Sequence, residues 1–284
     1  MTRRVAVTPV RRRSGHDINA DQDLVAVESP LALAVRRPGD AAVVRLGLLM
    51  RTPCDDEDLV AGFLFTEGII REARDLVDVA VTHGGPRGEA DAALVTLRPD
   101  LEWDPARLDR GAAATSACGL CGRLEMLAVE DGRACPAGRP AITSALVESL
   151  PDRLARGQSA FAETGGLHAA ALVAVDGQRE VIREDVGRHN AVDKVLGAAL
   201  ARGWLPGHDL LLAVSGRVAY EIAHKAVTAG LPAVAAVGAP SSLAVQAARA
   251  AGLTVIGFVR GTRFNVYAGW ERLEGTGKFP AGSP

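Results

Sequence analysis

Apolar residues in the first hundred positions fall in short alternating runs separated by turn-forming residues. "LALAVRR" and "AAVVRLGLLMR" flank Pro38-Gly39-Asp40, a pattern that predicts a β-hairpin. The spacing turns helical in "TPCDDEDLVAGFLFTEGII", where Leu59, Val60, Phe63 and Leu64 share one face. Thr52 or Asp55 is placed to cap that helix, and its acidic first turn suits the positive end of the helix dipole. Two more strands, "DLVDVAVT" and "DAALVTLRP", follow around the Gly-rich turn "HGGPRGEAD". Residues 24–125 therefore read as a small α+β domain that ends in the loop "LDRGAAATSACGLCGR". Residues 1–23, basic and then polar, read as a disordered lead-in.

The pattern becomes regular further on. "LHAAALVAVDGQREVIREDVG" predicts two strands around an Asp176-Gly177 turn. "HNAVDKVLGAALARG" predicts a helix with Val192, Val195, Leu196 and Leu200 on one stripe and Gly203 as its stop. Strand then alternates with Ala-rich helix through "DLLLAVSG", "VAYEIAHKAVTAG", "PAVAAVG", "SLAVQAARAAG" and "TVIGFVRG". Such alternation is the mark of βαβ units in a mostly parallel sheet, so residues 126–274 read as an α/β domain, which the family resemblance given below makes the cofactor-binding one. The Gly/Pro-rich tail, residues 275–284, reads as disordered, and no internal repeat is visible.

Composition narrows the function. A net charge of −2 gives no reason to expect nucleic acid or an anionic membrane as partner, and 4% aromatic content does not suit a base-stacking platform. No apolar run is long enough to span a membrane, and the charged start lacks the apolar core of a signal peptide. Four cysteines (Cys54, Cys118, Cys121 and Cys135) are too few and too unevenly spaced for a disulfide scaffold. A reducing cytoplasm is the expected location.

In open α/β sheets ligands bind beyond the carboxyl ends of the strands. This chain delivers Arg188 and His189 after one strand, Ser215 and Arg217 after the next, and Arg260, Thr262 and Arg263 after the last. Glycines beside these arginines let backbone N–H groups approach a ligand, and the guanidinium fork matches phosphate. The pattern points to a phosphate-bearing, nucleotide-like ligand. His168, His189, Glu184 and Asp185 invite an acid–base or metal reading, but no spacing of ligands supports zinc, and no metal is expected. Cys54 falls at a helix start, where thiol pKa values drop, yet packing or capping is the role expected of it.

The remaining chemistry lies in "TSACGLCGR". A C-x-x-C pair can serve a dithiol oxidoreductase, a structural zinc or a sulfur relay in which one thiol carries a persulfide, or it can be inert. The residues alone leave these open.

Five stretches in order, "SACGLCGR", "TGGLHAAAL", "REDVGRHNAVDKVLG", "SGRVAYEIAHKAVTAGLPAVAAVGAPSSLAV" and "GLTVIGFVRGTRFNVYAG", closely resemble the formate dehydrogenase accessory sulfurtransferase family, FdhD. The resemblance implies a cytidine-deaminase-like three-layer α/β/α domain without the deaminases' zinc signature, plus a smaller N-terminal α+β domain. It implies that sulfur passes from a cysteine desulfurase to the molybdenum bis(molybdopterin guanine dinucleotide) cofactor destined for formate dehydrogenase. By motif, Cys118 becomes the persulfide carrier and Cys121 the second sulfur-handling residue. The cofactor stretch becomes Val259, Arg260, Gly261, Thr262, Arg263 and Phe264, to which Arg188, His189, Ser215 and Arg217 are added from the strand-end pattern. A homodimer is also implied. The alternatives retained are a cofactor-binding chaperone with dispensable cysteines and a dithiol oxidoreductase.

Overall fold

A computed structural model describes residues 4–39, 43–84, 90–103 and 141–274. Residues 5–26, expected to belong mostly to a disordered lead-in, instead form an antiparallel hairpin of β1 (Val5–Ser14) and β2 (Asp17–Ala26). The composition misled because its basic residues lie on one strand and its acids on the other. Arg12 bonds Asp21 at 2.8 Å and approaches Asp23 at 3.7 Å across the pair. Arg4 ties the base of the hairpin to the body through Ser159 and Glu184.

β3 (Ser29–Arg36) and β4 (Val44–Arg51) form the hairpin expected around Pro38-Gly39. With β5 (Leu76–Thr82) and β6 (Asp91–Leu97) they make a sheet of order β4-β3-β6-β5. Alternation sends Leu31, Leu33, Val35, Ala93, Val95 and Leu97 to one face, where α1 (Asp56–Thr66) covers them with Leu59, Val60, Phe63 and Leu64. Each such side chain contributes about 1.5–3 kcal/mol on full burial. Asp55 is the capping residue of α1, in a left-handed conformation and without a side-chain cap bond. Below it the fully buried Arg51 binds Asp56 at 2.8 Å, Asp91 at 2.5 Å and the Ser29 carbonyl at 3.1 Å. One guanidinium thus joins β3, β4, β6 and the start of α1.

The second sheet has the order β12-β11-β10-β9-β7-β8, built from β7 (His168–Ala174), β8 (Glu180–Asp185), β9 (Leu210–Val214), β10 (Ala233–Ala236), β11 (Thr254–Arg260) and β12 (Arg263–Ala268). It is mixed, not mostly parallel: β9, β10 and β11 run together, while β7, β8 and β12 are antiparallel to their neighbours. The tight turns at Asp176-Gly177 and Gly261-Thr262 are the reason, since a hairpin joins antiparallel strands. The β12 return was not anticipated from the sequence.

Helices cover both faces of this sheet. α4 (Arg188–Ala201), α5 (Tyr220–Thr228) and α6 (Ser242–Ala251) bury one face together with α1. α2 (Ser144–Gly157), which the sequence reading had not proposed, covers the other with Leu146, Val147, Leu150 and Leu154. A short helix, α3 (Ser159–Thr164), follows it beneath the β1–β2 hairpin.

The two sheets are held together by α1 packed on α4. A Cβ at Gly62 would lie 1.8 Å from the Asp193 carbonyl oxygen, and one at Gly197 would lie 1.9 Å from that of Asp58. The helices meet backbone to backbone, at a distance only glycine permits. Buried charges brace this contact. Lys225 Nζ donates to both Asp193 carboxylate oxygens, at 2.7 and 2.9 Å, and to Thr66 at the end of α1. Lys194 Nζ lies 2.7 Å from Asp185 and donates to the Thr52 and Glu184 carbonyls.

Gly62→Ala must therefore push the helices apart, and overpacking of this kind costs about 3 kcal/mol. Urea denaturation measures the loss. An unchanged midpoint would show that the contact is looser than the geometry states.

Candidate functional site

The carboxyl ends of β9, β10 and β11 and the start of β7 share one edge of the second sheet, as their pairing requires. Loops leave this edge in step. Ser215 closes β9 onto β7, its N–H bonding the Ala169 carbonyl and its Oγ accepting from the Ala169 N–H, both at 2.9 Å. Gly238 N donates to the Gly216 carbonyl at 3.1 Å, and Phe258 N donates to the Gly238 carbonyl at 3.0 Å. A Cβ on Gly238 would come 2.7 Å from the Gly216 oxygen, so the glycines allow a continuous backbone ledge across three strands. Val218 and Ser241 extend it by bonding the Ala239 and Val218 carbonyls respectively.

Side chains gather around this ledge. A Cβ on Gly216 would meet His168 Nδ1 at 3.4 Å and Arg188 Cδ at 3.8 Å, so all three residues adjoin. His189 pairs through Nδ1 with the buried Glu221 carboxylate, while its Nε2 is buried without a hydrogen-bond partner among the described residues. Burial, then the positive charge of Arg188, then His189 lower the His168 pKa below 6.5, with Arg217 adding to the effect. His168 is therefore neutral at pH 7 and can accept a proton or a hydrogen bond.

Asp185 holds this corner in place. It is fully buried, accepts from Gly187 N at 2.8 Å and Asn190 Nδ2 at 2.9 Å, and pairs with Lys194. Gly187 caps α4 without a side-chain bond, leaving the positive helix end beside Arg188 and His189. Asp185 thus positions the helix start, while Glu184 binds the Ala160 and Phe161 N–H groups. The acid–base or metal reading of these two carboxylates is replaced by a structural one. Among the described residues, no group of three or more His, Cys, Asp or Glu side chains could hold a metal ion.

The expected residues thus divide. Arg188, His189, Ser215 and Arg217 share the strand-end corner with His168. Arg260, Thr262 and Arg263 are exposed around the Gly261 turn at the far end of the same edge. Val259 is only 2% exposed, and Phe264 is half-buried; both pack in the apolar layer under α2. Cys118 and Cys121 lie outside the described residues. Cys54 accepts a hydrogen bond from Lys194 at 3.4 Å, and burial, only partly offset by that lysine, pushes its thiol up to about 11. It is a packed, protonated thiol.

Two residues escaped the sequence reading. Glu221 holds His189, and its only sequence signal was an acid in the first turn of a helix that follows a strand-end loop. Phe258 is a non-glycine residue at φ 56° and 40% exposed, where the pairing of β11 with β12 shifts register. Nothing in "IGFVRG" marks that bulge.

Residues 26–274 match the model of the FdhD/NarQ family. The chain belongs to the FdhD/NarQ family. Relatives named sulfur carrier protein FdhD include one from Anaeromyxobacter sp. (strain K), 48% identical, covering 90% of each chain. Another, from Streptomyces coelicolor, is 43% identical over 93% of each chain. A solved structure from Desulfotalea psychrophila, described as a formate dehydrogenase accessory protein, is 26% identical with a TM-score of 0.72, covering 95% of this chain and 99% of that one. The β1–β2 hairpin falls almost wholly before the FdhD/NarQ match.

The electrostatics of the corner yield a pH test. A depressed histidine pKa means that the unfolded chain takes up the proton more readily. The associated stability is complete above pH 6.5 and is lost as pH falls through the lowered value. In NMR titration, His168 is expected below 6.5, moving up in Arg188→Ala and on addition of inorganic phosphate. A His168 resonance indifferent to both would separate it from the arginine cluster.

Proposed function

We propose that this FdhD/NarQ protein is a cytoplasmic sulfurtransferase that carries sulfur as a persulfide on Cys118. It receives the sulfur from a cysteine desulfurase. It delivers it to the molybdenum bis(molybdopterin guanine dinucleotide) cofactor, held as cargo, for activation of formate dehydrogenase. The observation that carries the reading is the strand-end corner, where Arg188, Arg217 and a neutral His168 adjoin a glycine ledge. A cargo with several phosphates needs such cations, backbone N–H groups and an uncapped helix start in one place. The relatives' name, sulfur carrier protein, supports the sulfur chemistry, and the accessory-protein description of the Desulfotalea structure supports the recipient. The cytidine-deaminase-like layering and a working homodimer belong to the same proposal.

The transfer balances with Cys118, Cys121, the donor's persulfide and an external thiol. The Cys118 thiolate attacks the outer sulfur of the donor's persulfide; a new S–S bond forms, and the donor cysteine leaves as thiolate. The Cys121 thiolate then attacks the inner sulfur of Cys118, forming the Cys118–Cys121 disulfide and expelling hydrosulfide toward the cargo. An external thiol returns the pair to the dithiol state. In the crevice Arg188 and Arg217 neutralise cargo phosphates, Arg260 and Arg263 lengthen the cationic edge, and Glu221 fixes the ring of His189.

Incubation with a cysteine desulfurase and cysteine, followed by mass spectrometry, tests the carrier step. A persulfide adduct on Cys118, absent in Cys118→Ala together with formate dehydrogenase activation, is the expected result. Full activation by the Cys118→Ala chain would instead favour a chaperone that only binds the cofactor. Catalytic reduction of a model disulfide would favour a dithiol oxidoreductase.

A further inference from the structure

Almost all of the β1–β2 hairpin lies outside the FdhD/NarQ match, and its residues 11–25 are exposed throughout. A two-stranded hairpin is marginal on its own in water, so one that stands out from the body invites a partner. Its two faces differ. Alternation places Val7 with Leu24, Arg11 with Ala20 and Arg13 with Ile18 on one face. The hairpin's three acids, Asp17, Asp21 and Asp23, all fall on the other, where Arg12 answers Asp21 and Asp23. The first face is therefore cationic and apolar. Ile18 is 62% exposed and Val7 48%, Arg13 donates only to the Gly15 carbonyl of the turn, and neither Arg11 nor Arg13 has a carboxylate partner among the described residues.

Recognition falls to this face because the edges are closed. The N–H groups of Gln22 and Leu24 donate to the Asp21 and Asp23 carboxylates at 2.8 and 2.9 Å, and Pro9 in β1 has none to give. An added strand would find gaps along either side. The root of the hairpin indicates what approaches it. A Cβ on Gly166 would lie 3.4 Å from that of Ala26, two residues before His168 begins β7. Arg4 meets Glu184, the neighbour of Asp185, and Asp185 pairs with His168 in the β7–β8 register. The arm thus rises from the edge where the cationic corner lies.

We propose that this face docks the protein that takes the cargo, the cofactor-free formate dehydrogenase, through a surface of acids interspersed with apolar residues. A recipient must come to the edge from which the cargo leaves, and it then meets the arm rooted there. Arginines without acid partners match carboxylates, and Val7, Leu24 and Ile18 match aliphatic side chains. From Val7 to Arg13 the face measures about 20 by 10 Å by strand rise and spacing, roughly 200 Å². A patch this small suits a transient encounter, as a delivery step needs, and lies far below what a lasting assembly buries. This inference rests on the recipient part of the proposed function, and persulfide loading of Cys118 reads the sulfur part separately.

Biolayer interferometry of the full chain on immobilised cofactor-free formate dehydrogenase is expected to give a micromolar Kd that rises with salt. Arg11→Gln with Arg13→Gln should raise it at least tenfold and Ile18→Gln several-fold, with circular dichroism and Cys118 persulfide loading unchanged. Ser14→Glu with Asn19→Glu makes the same change of net charge on the opposite face and should alter it less than twofold. Unaltered binding by the arginine variant, or an equal loss in the Ser14 and Asn19 variant, would overturn the docking face and leave the recipient reading in place. If the unaltered chain fails to bind the dehydrogenase, the recipient reading falls and this one with it. If the arginine variant instead loses binding to a cysteine desulfurase alone, the face belongs to the donor and the proposal is overturned.

Discussion

The backbone contact between α1 and α4 is the constraint on which the rest of the molecule depends. Gly62 and Gly197 let the helices touch where any side chain would collide with a carbonyl group. This contact fixes α4 in position along its axis, and α4 begins with Arg188 and His189. The placement of the cationic corner is thus set by a contact with the other sheet's helix. Domain attachment and site geometry are one problem here.

Why charged residues brace this junction follows from what a buried ion pair does. Taking Lys194 and Asp185 or Lys225 and Asp193 out of water costs several kcal/mol per ion, and good geometry recovers much of that without a large net gain. Losing one partner costs about 3–5 kcal/mol, because the other charge is left buried. Such pairs therefore penalise misalignment more than they add stability. Lys194 reads the Thr52 and Glu184 carbonyls, and Lys225 reads Thr66, so each ammonium checks α4 or α5 against the smaller sheet's segment. Apolar side chains could fill the same space but would tolerate a shifted register.

Much of this was legible in the sequence, for a physical reason. Helical and strand periodicity reports which face meets the core, so β3 to β11 and α1, α4, α5 and α6 follow from pattern alone. Direction and partner choice are not written in periodicity, and so the antiparallel β7, β8 and β12 surprised a reading based on βαβ alternation. The β1–β2 hairpin was hidden because Arg12 finds Asp21 only across a turn. At the site, the strand-end rule located Arg188, Ser215 and Arg217 correctly on one edge. It could not tell that Val259 and Phe264 point into packing, or that "VDK" supplies buried struts at the helix junction, where Asp193 meets Lys225 and Lys194 meets Asp185.

The corner's neutral histidine completes the electrostatic logic. Burial penalises a protonated His168, and the guanidinium charges of Arg188 and, more weakly, Arg217 repel it. Keeping it neutral avoids that cost in the ligand-free protein. Under the proposed function, the negative charge of a cargo phosphate would favour the imidazolium, so the histidine would gain its charge only with the anion in place. Glu221 does the reverse for His189: its carboxylate holds that ring through Nδ1. Asp185, braced by Lys194, holds the start of α4, so that Arg188 stands beside His168 at the glycine ledge while Glu221 anchors His189.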